Sequence, residues 1–277
     1  MKSTGSKAAI GVGTSGLVRV GNDDLEVARI AHAPEGKTCG APATLVFLHE
    51  GLGSVAMWRD FPAKLCAATR CGGLVYSRAG YGRSTPLRAP RDVDFMQREA
   101  VEVLPQLLHA CAIDRPILFG HSDGASIALL YAAAFPDRPL ATIAVAPHLF
   151  VEDISVQSIA AAREAYTKGE LRTRLARYHD DVDGAFFGWN DVWLKPAFRT
   201  WNVEAELVRI RCPVLTIQGE SDAYGTMAQI DAIARAAPQS RLLKLAECGH
   251  SPHIDRPDAV IGAVVALLDK LPDAAQR

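Results

Sequence analysis

Ser122, Asp222 and His250 are the residues of this chain whose types and order could together open a carbonyl carbon. Ser122 stands in "GHSDG", Gly120 to Gly124, which fits the pattern G-x-S-x-G. A serine hydroxyl is a weak nucleophile until a base takes its proton and an acid orients that base. Asp222 follows Gly219 in "PVLTIQGESDAYG", and His250 lies in "LLKLAECGHSPHIDRP". Taken singly, each has a plain alternative: a helix-capping serine, a turn aspartate, a loop histidine. Taken together, in the order serine, acid, histidine, each just beyond an apolar run, they form a nucleophile, an orienting acid and a base. Negative charge developing on a carbonyl oxygen must also meet fixed N–H donors. The backbone N–H of Asp123 is one expected donor. Gly51 in "FLHEGLGS" is the other, ahead of Glu50, because glycine lets backbone approach a ligand closely.

The elements flanking these residues are of the kind that could hold them. "RPILFG" reads as a buried strand directly before Ser122, and "GASIALLYAAAF" as a small-residue helix directly after it. A strand–turn–helix of this kind exposes the serine hydroxyl and sets it at a helix N-terminus, where negative charge is stabilised. "LVRVGNDDLEVARIAHA" predicts a hairpin around Gly21-Asn22-Asp23, and "ATLVFL", "GGLVY", "LATIAV", "PVLTIQG" and "RLLKLAE" predict further strands. Helical stretches alternate with them, through about Ala68, over "DVDFMQREAVEVLPQLLHACAI" with Pro105 as a kink or break, near 226–236, and from about Pro257. This alternation predicts an α/β fold: a mostly parallel sheet with helices on both faces. Residues 148–207 interrupt it after the sixth strand and read as helical pieces rich in Phe and Trp. An insertion at strand ends is placed to act as a lid. The expected organisation is a flexible lead-in over 1–16, a core over 17–147 and 208–271, the helical lid over 148–207, and a tail over 272–277.

Composition excludes several classes. Hydrophobic residues make up 49% and charged residues 22%, and the formal net charge is −1. No basic surface invites nucleic acid, and no apolar run is long enough to span a bilayer. The cysteines (39, 66, 71, 111, 212, 248) form no C-x-x-C pair, which suggests reduced thiols rather than a disulfide framework or a zinc site. With no secretory h-region evident, the expectation is a cytoplasmic protein acting on a small molecule, with neither cofactor nor metal.

The stretches "LHEGLG", "SRAGYGRS", "GHSDGAS", "QGESDAYG" and "CGHSPHIDRP" resemble the α/β-hydrolase superfamily from about residue 17 to 271. The resemblance implies Ser122 as nucleophile, Asp222 as orienting acid, His250 as base, and Gly51 with Asp123 as oxyanion hole. His49-Glu50 departs from the family's usual His-Gly, and Glu50 is expected to pair with Arg59, Arg78 or Arg83. Ser122 sets the chain apart from the dehalogenases and most epoxide hydrolases of this fold, which use an aspartate. The remaining implied activities are ester or lactone hydrolysis by acyl transfer, carbon–carbon bond hydrolysis of ring-fission products, haloperoxidase-like esterase chemistry, or a small-molecule receptor that retains the fold. In the lid, Phe186, Phe187, Trp189, Trp193 and Trp201 could roof a pocket, and Trp189 and Trp193 are the expected substrate contacts; packing of the lid's own core is the competing account. Arg163, Arg172, Arg174 and Arg177 could clamp a second carboxylate. Asp180, Asp181 and Asp183 read as a solvated turn, His121 as packing, and the Asp123 side chain as a surface contact; His148, just after a strand end, could reach the site, a structural role being the preferred reading.

Overall fold

Apolar runs become buried strands here because both faces of the sheet are covered. The computed structural model describes residues 15–31 and 43–271. Its eight strands are β1 (Ser15–Val20), β2 (Asp23–Ile30), β3 (Thr44–Leu48), β4 (Gly72–Tyr76), β5 (Pro116–His121), β6 (Ala141–Val145), β7 (Val214–Gly219) and β8 (Arg241–Leu245). They form one sheet in the order β1-β2-β4-β3-β5-β6-β7-β8. The β1–β2 and β2–β4 pairs are antiparallel and the rest parallel. The predicted hairpin is present, with Val20 opposite Asp23 and Gly21 at φ +57°, a left-handed conformation that suits glycine in a tight turn. Ser15 and Gly16 already pair with β2, so the expected lead-in over 1–16 is too long at its end. Its remainder, residues 1–14, lies outside the described residues, as do Cys39 and the tail expected at 272–277.

Alternation along the strands divides the core in two. Val46, Leu48, Leu74, Tyr76 and Leu118 face one side, while Leu45, Phe47, Val75, Ile117 and Phe119 face the other. The helices are α1 (Phe61–Thr69), α2 (Phe95–Arg98), α3 (Leu104–Ala110), α4 (Asp123–Ala134), α5 (Asp153–Lys168), α6 (Leu171–Leu175), α7 (Val182–Leu194), α8 (Ala228–Ala236), α9 (Pro252–Asp255) and α10 (Pro257–Leu268). Residues of α2, α3, α4 and α8 join the first core, and residues of α1 and α10 join the second. Pro105 has a visible consequence: a π-helical turn, Glu99–Val103, separates α2 from α3 just before it. Proline lacks an N–H and its ring crowds the carbonyl four residues back, so the helix widens there.

The sheet order places the site. From β3 the chain moves to β4 on one side and then to β5 on the other, so the loops leaving β3 and β5 diverge and open a crevice at the strand ends. The segment joining β6 to β7 contains α5, α6, α7 and two 3-10 turns, Pro196–Thr200 and Glu204–Arg209. Its two stems run side by side: Phe150 bridges Asn202, and the Val203 N–H donates to the Leu149 carbonyl at 2.8 Å. The last turn, with Leu207 buried, packs back on α4.

Candidate active site

Both glycines of "GHSDG" are required by the elbow they flank. A Cβ on Gly120 would overlap the Gly124 carbonyl, and a Cβ on Gly124 would overlap the Leu48 carbonyl. Their absence lets α4 cross close over β5 and β3. Ser122 between them is held at φ 53°, ψ −121°, outside the favoured regions for a residue with a side chain. Its N–H is tied to the Val145 carbonyl at 2.9 Å, which helps fix the strained turn at the mouth of α4.

Three side chains meet at the strand ends. His250 Nε2 lies 2.9 Å from Ser122 Oγ, and His250 Nδ1 lies 2.9 and 2.8 Å from Asp222 Oδ1 and Oδ2. With the Nδ1 proton donated to the carboxylate, Nε2 presents its lone pair to the serine hydroxyl. The acid is itself oriented. Gln218 Nε2–H donates to Oδ2 and the Tyr224 N–H to Oδ1, each at 2.7 Å. Burial pushes the Asp222 carboxyl up, but the His250 hydrogen bond and charge and the Tyr224 amide together hold it below the usual range. Sequence reasoning misses Gln218. The one signal it offers is a lone polar residue at the end of the otherwise apolar run "PVLTIQG".

The loop after β3 is pinned by its carbonyls. Arg78 donates from Nη1 to the His49 carbonyl at 2.5 Å and from Nη2 to the Glu50 carbonyl at 3.0 Å. The Arg78 N–H donates to His49 Nε2, and His49 Nδ1–H donates to the Glu50 carbonyl. Burial, then the Arg78 charge, keep His49 neutral for this role. In trans peptides the N–H points opposite to the preceding C=O, so this arrangement turns the Glu50 and Gly51 amides away from Arg78. Neither the Gly51 nor the Asp123 N–H forms a turn, loop or cap hydrogen bond among the described residues.

Two expectations need correction. Glu50 does not pair through its carboxylate with Arg59, Arg78 or Arg83; its Oε2 lies 3.5 Å from His121 Nδ1, and Arg78 takes only the backbone. Burial pushes the Glu50 carboxyl up, and His121 beside it more than reverses this, so it stays ionised. The Asp123 side chain is no surface contact but is 1% exposed, because Trp193 of α7 covers it and donates Nε1–H to Oδ1 at 3.2 Å. Burial raises the Asp123 carboxyl, which Arg78 and Trp193 only partly counter.

A cavity of about 120 Å³ is lined by Ser122, His250, Gly51, Glu50, His148, Trp189 and Trp193, among others. The expected substrate contacts, Trp189 and Trp193, thus line the same cavity as Ser122. Phe186, Phe187 and Trp201 do not line it: Phe186 stacks on Tyr166, Phe187 meets both rings edge-on, and Trp201 stacks on Phe198. Of the two readings of His148, the one that reaches the site holds: it lines the cavity, with its ring 5.9 Å from that of His250, and burial, then His250, lower it to about 3. His121 donates Nε2–H to the His250 carbonyl at 2.7 Å and so supports the histidine loop. Asp181 caps α7 at the Gly184 N–H, Asp183 takes Arg172 through two bonds, and Arg163 donates to Asn190 and Asp191. Arg174 and Arg177 do not line the cavity. Grooves of about 320 and 380 Å³ beside α3 and the β1–β2 hairpin contain no serine or cysteine.

A family model described as "Alpha/beta hydrolase family" matches residues 45–263. The chain is 31% identical over 241 residues to a protein of Pseudomonas savastanoi pv. phaseolicola named "Putative carbamate hydrolase RutD", covering 78% of this chain and 90% of that one. It is 28% identical to human "Serine hydrolase BPHL", covering 63% of this chain and 62% of that one. Two solved structures share the fold: a proline iminopeptidase of Mycobacterium smegmatis (TM-score 0.70, 20% identity, 95% of this chain and 100% of that one) and an enol-lactonase of Burkholderia xenovorans LB400 (TM-score 0.69, 20% identity, 92% and 100%).

Proposed function

The chain belongs to the α/β-hydrolase family, and on that premise we propose that it is a serine hydrolase acting by acyl transfer on a small carboxylic ester or related carbonyl substrate. The contact that carries this proposal is His250 Nε2 at 2.9 Å from Ser122 Oγ, with Asp222 behind Nδ1. As Oγ attacks the carbonyl carbon, its proton passes to Nε2 and the carbonyl π pair moves onto oxygen. The Gly51 and Asp123 amides receive that oxyanion, and the N-terminus of α4 adds to its stabilisation. His250 then gives its proton to the leaving oxygen as the tetrahedral species collapses to an acyl-serine. A water, deprotonated by His250, releases the acid and regenerates Ser122. Asp222 stays ionised and stabilises the imidazolium in both halves.

The cavity volume supports a small acyl group, since sites for drug-sized ligands run to several hundred Å³. A carbamate carbonyl, as in the name of the Pseudomonas relative, falls within the same chemistry. The segment from 148 to 207 serves as the lid, with Trp189 and Trp193 as its inner surface. Arg163 and Arg172 are occupied by lid partners, so neither is free to clamp a second carboxylate as carbon–carbon hydrolysis of ring-fission acids needs. Cys66, Cys111, Cys212 and Cys248 are unpaired and buried, in keeping with a cytoplasmic enzyme, and among the described residues no helix is long and apolar enough to cross a membrane.

Steady-state hydrolysis of p-nitrophenyl acetate tests the proposal. Ser122→Ala and His250→Ala each lose nearly all activity while staying folded, and the double variant loses little more, because the residues act as a unit. Activity in Ser122→Ala above a few per cent of the parent's contradicts the nucleophile assignment.

A further inference from the structure

The helical insertion turns a polar group onto the loop expected to hold the substrate oxygen. A Cβ built on Gly51 would overlap Nε1 and Cδ1 of Trp189 and come within 2.8 Å of Cε2. The pyrrole edge of the indole therefore rests directly on the Gly51 backbone, and any residue larger than glycine would push it away. Trp189 is 7% exposed and lines the cavity with Ser122. Its N–H has no acceptor among the described residues. By contrast, Trp193 donates to Asp123 and Trp201 to Gln97. Trp58 also lacks an acceptor, but it is packed among Phe47, Phe61 and Phe119 and does not line the cavity. An indole N–H left without a protein acceptor on the wall of a cavity beside a nucleophile is placed to meet an acceptor on the ligand.

We infer that Trp189 supplies a third oxyanion donor, its indole N–H hydrogen-bonding the substrate carbonyl oxygen beside the Gly51 amide. This rests on the acyl-transfer proposal and deepens it. When the Ser122 Oγ–carbon bond forms and the Oγ proton moves to His250, the π pair lands on an oxygen flanked by two backbone amides and one indole N–H. That oxygen is a far stronger acceptor as an oxyanion than as an ester carbonyl, so the third bond strengthens at the transition state and acts on kcat. Because α7 carries the donor, the hole is complete only with the insertion seated. Seating of the insertion and catalytic competence are thereby one event.

The test compares the full-length parent, Trp189→Phe, Trp189→His and Ser122→Ala on p-nitrophenyl acetate and benzoate, with thermal melts of each. Trp189→Phe keeps an aromatic ring and loses the N–H. Its kcat should fall by about ten- to a hundredfold on both esters with little change in KM, below the 10²–10³ typical of a principal donor. Trp189→His, which returns an N–H on a smaller ring, should recover part of that loss. An unchanged kcat in Trp189→Phe, a loss confined to KM, or no recovery in Trp189→His overturns the assignment. So does a lowered melting temperature shared by both variants with equal loss of activity, since that places Trp189 in packing. If the parent shows no Ser122-dependent turnover, the acyl-transfer proposal itself fails; if the parent turns over and Trp189→Phe matches it, only the indole donor fails.

Discussion

Ser122 occupies a backbone conformation that its two neighbouring glycines make room for, and its partners are held as firmly as it is. Asp222 receives two hydrogen bonds at 2.7 Å from groups other than His250, so the carboxylate cannot swing away from the imidazole. Asp222→Asn preserves that shape but favours the tautomer with its proton on Nε2, which cannot accept from Ser122. In a well-characterised serine protease the same change costs about 10⁴ in kcat. Hydrolysis by Asp222→Asn should fall on that order, measured on p-nitrophenyl acetate; near-parental rates would mean another carboxylate orients His250. At this scale the sequence is highly legible, because G-x-S-x-G and two strand-end residues are local signals. Glu50 is not. Its partner, His121, is 71 positions away and flanks the nucleophile, and nothing in the spacing distinguishes it from three nearby arginines. Asp123 escapes sequence reasoning for the same kind of reason: Trp193, which buries it, arrives from α7, 70 residues further on.

The insertion between β6 and β7 carries two sets of aromatic side chains with different work. Phe186, Phe187 and Tyr166 pack α5 against α7, while Trp189 and Trp193 project onto the cavity from the same helix. Positions 189 and 193 are four apart and share a face; Phe186, three before Trp189 and edge-on to it, borders that face but is taken up in the stack with Tyr166 and does not line the cavity. Phe186→Ala should therefore cost stability, about 3–5 kcal/mol if the site does not collapse, and leave the ratio of acetate to benzoate hydrolysis unchanged. Trp193→Ala should shift that ratio at least tenfold, since even one methylene fitted into an apolar pocket is worth about 1–3 kcal/mol of discrimination. Thermal melts and the two esters, measured on both variants, check this; an altered ratio in Phe186→Ala would mean that Phe186 also shapes the cavity. Composition shows the aromatic residues of the insertion but not which of them face inward, because that depends on how α7 is rotated against the core. Pro105 is informative in kind rather than detail: the helix adapts by a π turn ahead of it rather than ending.

Over the whole molecule, alternating apolar runs and helical stretches are enough to read a mostly parallel sheet covered on both faces. The strand order is less legible, since pairing β3 between β4 and β5 is a tertiary choice, and it is what opens the crevice. Burial of neutral histidines gives the fold an acid limit. Burial, then neighbouring charges, lower His148 and His253 to about 3; His253 faces His121, Trp58 and Phe61, with Glu50 and His250 acting on it as charges. In the unfolded chain histidines titrate near about 6.5, so the unfolded state binds more protons between there and about 3. Stability is fully present above about pH 6.5 and falls as the pH drops through that window, by up to about 1.4 kcal/mol per pH unit for each histidine. Denaturant unfolding at pH 7, 6 and 5 should show the decline, and His253→Gln should make it shallower; an equal slope would remove His253 from this account. The central claim, that Ser122 is the acylated nucleophile, is tested most directly by rapid quench of the enzyme with p-nitrophenyl acetate, followed by intact and peptide mass spectrometry. The account predicts one acetyl group on the peptide containing Ser122, formed in step with an initial burst of p-nitrophenol and absent from Ser122→Ala. Turnover without any acetylated intermediate, or acetyl found on another residue and retained in Ser122→Ala, would contradict it.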